Sequence, residues 1–230
     1  MSDIISVGLP VLKSRAGLPA LCLVTGATGY IGGRLVVELL NHGYRVRVLA
    51  RNPERLKNHP WINRVEVAEG DANDEYALTQ AMQGVDVAYY LLHALMSKND
   101  FEDKERNLAH HFVKCAKSAG ISRIVYLGGI IAPHEELSPH MKSRAETGEI
   151  LRASGIPTIE LRAAVVIGSG SASFEMLRYL TERLPIMTVP KWVNVHIQPI
   201  AVRDVLRYLV GAAAVDPKIT GAFDIGGPEI

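Results

Sequence analysis

The stretch TGATGYIG, residues 25–32, decides the fold of this chain. The apolar run Leu21–Val24 precedes it and follows Pro19, a pattern typical of a strand buried on both faces. From Ile31 onward, apolar residues recur at helical spacing as far as Asn41–Gly43, which predicts a helix. The first N–H groups of a helix lack intrahelical acceptors, and the helix dipole adds positive charge at that end. The sequence therefore predicts an anion-binding turn between a buried strand and a helix.

The three glycines of this turn have separate roles. Gly26 permits the tight turn, Gly29 lets the backbone approach a diphosphate, and Gly32 lets the helix pack closely on the strand. The alternative is a glycine turn that packs a helix and binds nothing, but a strand before it and a helix after it favour a ligand site. We expect the backbone N–H groups of Tyr30 and Ile31 to be the phosphate donors. The predicted diphosphate site comprises Gly26, Thr28, Gly29, Tyr30, Ile31 and Gly32.

Strands and helices alternate along the following residues. Further strands are predicted at residues 45–50, 64–68, 86–92, 123–127 and 158–161, with helical patterns between most of them. This alternation predicts an α/β fold, a doubly wound parallel sheet of Rossmann type. The alternation of strands and helices becomes less regular after Gly168, although a late strand is predicted at residues 222–225. We therefore expect a lead-in segment (1–18), a Rossmann dinucleotide-binding core (19–168) and a small C-terminal substrate-side region (169–230) that adds one strand to the core.

Composition excludes several classes of partner. The net charge of +1 provides no field for nucleic acid or for an anionic membrane. No apolar run approaches the ~20 residues that a membrane span requires. The two cysteines, Cys22 and Cys115, lack CxxC spacing, so we expect buried thiols in a reducing compartment and neither a disulfide nor a metal site. The chain is expected to be cytoplasmic.

The residues after the second strand bear on which dinucleotide binds. An NAD site usually has an acidic residue there, which binds the ribose 2′-hydroxyl. Here Arg51 and Asn52 follow the strand, and a guanidinium can pair with the 2′-phosphate of NADP. The sequence therefore predicts NADP(H) as the cofactor, with NAD second. The alternative is that Arg51 is a solvated loop cation.

Residues after the third and fourth strands complete the predicted cofactor site. Asp71, in Gly70–Asp71–Ala72, is placed to meet the adenine amino group, although an aspartate beside glycine also forms turns. Leu92 and His93 end the fourth strand, and ligands of open parallel sheets bind outside the carboxyl ends of the strands. The residues added to the site are Asp71, Ala72, Leu92 and His93.

Together these motifs resemble the short-chain dehydrogenase/reductase superfamily, in its extended and atypical branches. Those branches include the NAD-dependent epimerase/dehydratase and NmrA-like NAD(P)-binding proteins. The resemblance is carried by the glycine turn, by Gly70–Asp71–Ala72, by Val125–Gly129, by Leu161–Arg162 before Gly168, and by Phe223–Pro228. It covers nearly the whole chain from Leu21 onward.

The resemblance implies a serine or threonine after the fifth strand and a Tyr-x-x-x-Lys pair on the next helix, which relay a proton while hydride moves. Gly129 stands at the hydroxyl position, His140 at the tyrosine position and Arg144 at the lysine position. No tyrosine lies between Tyr126 and Tyr179. The usual relay is therefore expected to be absent. His140 is a candidate acid–base group and Arg144 a candidate anion or ribose-hydroxyl ligand; the alternative is that both are surface residues at a helix start.

Three functions follow from these observations. The first is an NADP(H)-dependent oxidoreductase or epimerase-like enzyme with a remodelled proton relay. The second is a non-catalytic redox sensor of NmrA-like type, in which a protein partner or a fused C-terminal domain reads cofactor occupancy. In the third, the dinucleotide is a structural ligand within a larger assembly. The enzyme is favoured because the region after Gly168 is suited to enclosing a small-molecule substrate.

Overall fold

The computed structural model describes residues 11–14, 16–92, 101–131, 138–183 and 198–227. Its strands are β1 Leu21–Thr25, β2 Arg45–Ala50, β3 Glu66–Glu69, β4 Val87–Tyr90, β5 Arg123–Gly129, β6 Thr158–Ala163, β7 Val166–Ile167, β8 Ile200–Ala201 and β9 Gly221–Ile225. Its helices are α1 Tyr30–Asn41, α2 Glu75–Met82, α3 Phe101–Ala119, α4 Pro139–Arg152, α5 Ala172–Arg183 and α6 Val202–Ala214. Short 3-10 helices cover Pro53–Leu56 and Ile62–Arg64.

Seven of these strands form one parallel sheet in the order β3-β2-β1-β4-β5-β6-β9. The chain moves outward from β1 to β3, returns to the other side of β1 with β4, and then continues to β9 at the far edge. This order confirms the predicted doubly wound α/β fold. The direction reverses beside β1, and ligands of such sheets bind at this crevice, outside the carboxyl ends of the strands.

Strand β1 shows why the sheet is covered on both faces. All five of its residues are buried, and the first four alternate between two hydrophobic cores. Cys22 and Val24 contribute to the core that contains α1 and α6. Leu21 and Leu23 contribute to the opposite core, which contains α2, α3 and α4. The continuous apolar run in the sequence therefore reflects burial from two sides.

Two local departures from the predicted elements have simple causes. The third strand begins at Glu66, two residues later than predicted, because Ile62–Arg64 forms a 3-10 turn in which the Arg64 N–H donates to the Trp61 carbonyl at 2.9 Å. The sequence predicts the next helix at residues 141–153, but helix α4 begins two residues earlier, because Ser138 caps it and Pro139 takes the first helical position.

The residues that flank the predicted core pack against it. In the lead-in, the Ala20 N–H donates to the Leu12 carbonyl at 2.9 Å, and the Leu12 N–H donates to the Tyr44 hydroxyl at 3.3 Å. After Gly168, β9 pairs with β6 and α6 packs on α1. The domain limits at residues 18 and 168 remain a prediction. In the described part of the chain, no helix combines the length and apolar composition that crossing a membrane requires.

Candidate dinucleotide site

The glycine turn is shaped by close contacts that no larger residue could make. Gly26 has a φ of +74°, and a Cβ there would lie 2.5 Å from the Leu91 carbonyl oxygen. A Cβ on Gly32 would collide with the Gly26 carbonyl oxygen and lie 2.8 Å from the Gly26 carbonyl carbon. The Gly29 N–H closes the turn by donating to the Gly26 carbonyl at 2.9 Å. The roles predicted for Gly26 and Gly32 therefore match the contacts they make.

The start of helix α1 is left open to an anion. Its N-cap is Gly29, no side chain caps it, and its first turn holds no acidic residue. The Gly33 N–H makes the first helical bond, to the Gly29 carbonyl at 3.0 Å, so the amides of Tyr30, Ile31 and Gly32 precede the helical ladder. Thr28 and Gly29 are exposed beside them. A helix start with such unpaired amides and no acidic side chain is suited to an anion.

A residue that sequence reasoning missed, Thr25, aligns the turn with the next strand. Its buried hydroxyl donates to the Tyr89 carbonyl at 2.7 Å and accepts the Leu91 N–H at 3.2 Å. These bonds join the carboxyl ends of β1 and β4 and hold the Leu91 carbonyl against Gly26. Leu92 follows, half-buried at the same edge. His93, predicted beside it, lies outside the described residues.

The residues after β2 and β3 come together at the same edge of the sheet. The Arg51 side chain is 76% exposed, and its Nη1 lies 3.9 Å from Asp71 Oδ2. Asp71 Oδ1 accepts the Asn73 main-chain N–H at 2.9 Å, so the aspartate also shapes its own turn. Asn52 Oδ1 accepts the Glu54 N–H at 3.0 Å and caps a 3-10 helix. Ala72 is buried in the core. Arg51 and Asp71 thus present charged atoms to solvent, whereas the Asn52 oxygen is occupied.

The predicted hydroxyl position at the end of β5 is covered by a side chain from α4. A Cβ on Gly129 would lie 3.1 Å from Met141 Cε. Ser138 Oγ accepts the Met141 N–H at 3.3 Å, which fixes the first turn of this helix. The thioether therefore lies where the resemblance implies a serine or threonine.

His140 and Arg144 lie one turn apart on α4. His140 is exposed at the helix start, whereas Arg144 is half-buried and its Nη2 donates to the Leu127 carbonyl at 3.2 Å. The Tyr126 hydroxyl donates to the Arg144 carbonyl at 3.2 Å. Burial raises the pKa of Tyr126 to about 12, so this phenol stays protonated at neutral pH.

Helix α4 is tied to α3 by polar side chains. The buried Ser143 hydroxyl donates to Glu105 Oε2 at 2.5 Å, and Arg106 forms an ion pair with Glu146. These ties hold the helix that carries His140 and Arg144 against the sheet. In the part of the chain that the structure describes, no three His, Cys, Asp or Glu side chains meet as a metal site would require.

The fold and the glycine turn together define a Rossmann-type dinucleotide-binding protein. A model of the NAD(P)H-binding family matches residues 26–167. The match covers more than half of the chain, so the chain belongs to this NAD(P)H-binding family.

Individual relatives extend the likeness over most of the chain. Ceramide reductase of Caulobacter vibrioides is 28% identical over 170 residues, which cover 72% of this chain and 52% of that protein. This chain thus spans about half the length of that relative. UDP-N-acetylglucosamine 4-epimerase of Bacillus cereus has the same fold, with a TM-score of 0.69 and 21% identity over 91% of this chain and 79% of that one.

Triphenylmethane reductase of Citrobacter sp., solved in complex with NADP(H), also has this fold. Its TM-score is 0.70 and its identity 23%, over 91% of this chain and 70% of that one. The family model thus confirms the predicted NAD(P)-binding class, and the solved structures confirm the predicted fold.

Proposed function

We propose that this chain binds NADP(H) across the glycine turn and the ends of β2 and β3, and uses it in an oxidoreductase or epimerase-like reaction on a small molecule. The observation that carries the proposal is the uncapped start of α1, where the amides of Tyr30, Ile31 and Gly32 precede the first helical bond. The NAD(P)H-binding family model begins at Gly26 and includes this turn, which supports a nicotinamide dinucleotide as the ligand.

The choice of NADP(H) over NAD rests on Arg51. Its guanidinium is mostly exposed at the carboxyl end of β2, and a carboxylate oxygen of Asp71 lies 3.9 Å from it. An ion pair this exposed is weak, so the guanidinium is available to a phosphate. A guanidinium can bind a 2′-phosphate through two parallel hydrogen bonds.

Replacing Arg51 by aspartate is expected to weaken NADPH binding roughly ten- to a hundredfold, since a charge-assisted pair is replaced by repulsion. NADH affinity should change less than about threefold, because NADH has no 2′-phosphate. Calorimetric titration with both reduced cofactors measures the two effects.

The matched control for this charge reversal is Arg55→Asp, which reverses an exposed charge four residues away and should leave both affinities nearly unchanged. Equal losses for NADPH and NADH in the Arg51 variant would contradict the NADP(H) preference.

For the reaction itself we propose His140 as the acid–base group and Arg144 as the residue that holds a ribose hydroxyl or substrate anion. Histidine is the side chain most often used as a general acid or base, and His140 is exposed at the start of α4. Arg144 is anchored to the Leu127 carbonyl at the end of β5. When bound, NADP(H) supplies or accepts the hydride; His140 would pass the proton at the substrate oxygen. This arrangement takes the place of the Tyr–Lys pair.

Exchanging His140 for phenylalanine is expected to lower kcat for NADPH oxidation roughly a hundredfold, the lower end of what a general acid–base group contributes. A panel of carbonyl and quinone substrates, followed by loss of NADPH absorbance, provides the measurement. NADPH affinity should stay unchanged.

The control is His110→Phe on α3, which removes an exposed histidine remote in sequence from the α4 pair. Turnover that is unaffected by the His140 substitution would exclude it as the proton carrier.

One observation favours a second function, a non-catalytic NADP(H)-binding module. Met141 covers Gly129, so an apolar group lies at the position of the usual hydroxyl. In this case the protein would bind NADPH tightly, turn over none of the panel, and change its affinity for a protein partner with the redox state of the cofactor.

A further inference from the structure

A single arginine of α1 connects the glycine turn with a loop far away in sequence. The Arg34 guanidinium lies over the Tyr30 ring, with its central carbon 3.9 Å from the ring centroid. Its Nη1 donates to the Tyr30 carbonyl at 3.1 Å, and its Nη2 donates to the Ser169 carbonyl at 3.0 Å. The planar fork of arginine thus spans the first turn of α1 and the loop after β7.

The Tyr30 ring is enclosed by the same loop. A Cβ on Gly168 would lie 2.5 Å from the Tyr30 hydroxyl, and one on Gly170 would lie 3.7 Å from the ring. The hydroxyl is buried and has no hydrogen-bond partner in the described structure. A buried polar atom of this kind costs free energy, so packing and the Arg34 contacts, not the phenol oxygen, hold the ring in place.

Arg34, the fifth residue of α1, makes its contacts with main-chain and aromatic groups. In the described part of the chain, no carboxylate lies within ion-pair distance of it. Both of its hydrogen bonds go to main-chain carbonyls, one on each side of the contact. The contacts of this guanidinium therefore serve to join two backbone segments.

We propose that Arg34 is a positioning residue of the dinucleotide site: it fastens the Gly168–Gly170 loop to the first turn of α1 and so fixes the amides that hold the diphosphate. This inference rests on the proposed function, since it assigns how that site is held in shape. Tyr30 belongs both to this connection and to the predicted phosphate site. Its amide is an expected phosphate donor, while its carbonyl and ring are held by Arg34. Preorganised donors bind more tightly because less ordering remains to be done on binding.

The test compares cofactor affinities of the wild type, Arg34→Met and Arg34→Lys by calorimetry. Both variants are expected to bind NADPH and NADH roughly tenfold more weakly, by the same factor, because both cofactors share the diphosphate. Lysine keeps the charge but lacks the fork that reaches two carbonyls, so it should not restore binding. The ratio to wild type should be the same at low and high ionic strength, because a positioning effect is not screened by salt.

A matched control and a second variant keep the test independent of folding defects. Arg34 and Arg203 both line a groove between α1 and α6. Arg203→Met removes an exposed charge from this groove and should leave both affinities unchanged. Gly168→Ala disturbs the connection from the loop side and should reproduce the equal losses seen with Arg34→Met. Thermal unfolding of each variant identifies any that do not fold.

Restored binding in Arg34→Lys, or a loss that disappears at high salt, would show that the charge acts directly on the ligand and would overturn the inference. Hydrogen exchange provides a reading without cofactor. The Ser171 N–H, which donates to the Gly168 carbonyl at 3.0 Å, should exchange faster in Arg34→Met than in the wild type, and unchanged exchange would also overturn it. A wild type that binds neither cofactor would refute the proposed function, while this exchange comparison would still test the connection.

Discussion

Substituting Gly32 by alanine is expected to lower the free energy of unfolding by about 3 kcal/mol and to weaken the binding of both cofactors at least a hundredfold. The added Cβ collides with the Gly26 carbonyl oxygen, which is backbone and cannot rotate away as a side chain would. Helix α1 must therefore move off β1, and its leading amides move with it. Denaturant unfolding and calorimetric titration measure the two losses.

The neighbouring glycine is the control. In Gly33→Ala the Cβ lies 3.1 Å from the Ala27 carbonyl oxygen, a contact that a shift of a few tenths of an ångström relieves. Alanine also favours the helix by roughly 1 kcal/mol over glycine. We therefore expect a small change in stability and cofactor affinities within about threefold of the wild type. Full NADPH affinity in Gly32→Ala would show that the helix start is not the diphosphate site.

Replacing Glu160 by alanine is expected to lower the free energy of unfolding by about 3–5 kcal/mol. The Glu160 side chain is 1% exposed and lies between two arginines. Arg152 Nε donates to its Oε2 at 2.8 Å, and Arg162 Nε donates to its Oε1 at 2.9 Å. Removing the carboxylate leaves two partly buried guanidinium groups without their shared anion and opens a cavity beneath α4.

The surroundings show that this carboxylate is built into the fold. A Cβ on Gly148 of α4 would lie 2.5 Å from Glu160 Oε1, and one on Gly128 of β5 would lie 3.1 Å from it. Both glycines therefore leave room for the charge between helix and sheet. Glu160→Gln keeps the shape and should cost less than Glu160→Ala. A loss below about 1 kcal/mol in Glu160→Ala would contradict the assigned role, since that is the range of an exposed pair.

The matched control is Glu66, which also binds two arginines but is 44% exposed. Burial raises the pKa of Glu66, but hydrogen bonds and charge from Arg47 and Arg45 lower it more, so this pKa lies below its ordinary value. Ionised Glu66 therefore stabilises the fold above the carboxyl pKa of the unfolded chain. This stabilisation is lost as the pH falls through the lower pKa of the folded state. Glu66→Ala should cost less than about 1 kcal/mol at neutral pH and nothing measurable in acid.

Much of the fold could be predicted from the sequence because the signals are local. The run Leu21–Val24 had to be a doubly buried strand, and the glycines that follow it had to form the turn into a helix. Asp74 caps the start of α2, and Gly120, with its positive φ, follows the end of α3, so these limits also have local causes. The open helix start follows from these same neighbours, since no capping residue precedes Tyr30.

The sequence by itself thus determined the parallel sheet, the NAD(P)-binding class and the shape of the glycine turn, because strand burial, helix periodicity and glycine geometry act between residues close along the chain. Only the tertiary structure decided that Asp71 faces Arg51, that Met141 covers Gly129, that Arg34 binds the Ser169 carbonyl, and that Arg152 and Arg162 share Glu160. Most of these contacts join segments brought together by the packing of separate helices and strands. No local pattern specifies such pairs, because their distances are set by the crossing of whole elements over the sheet.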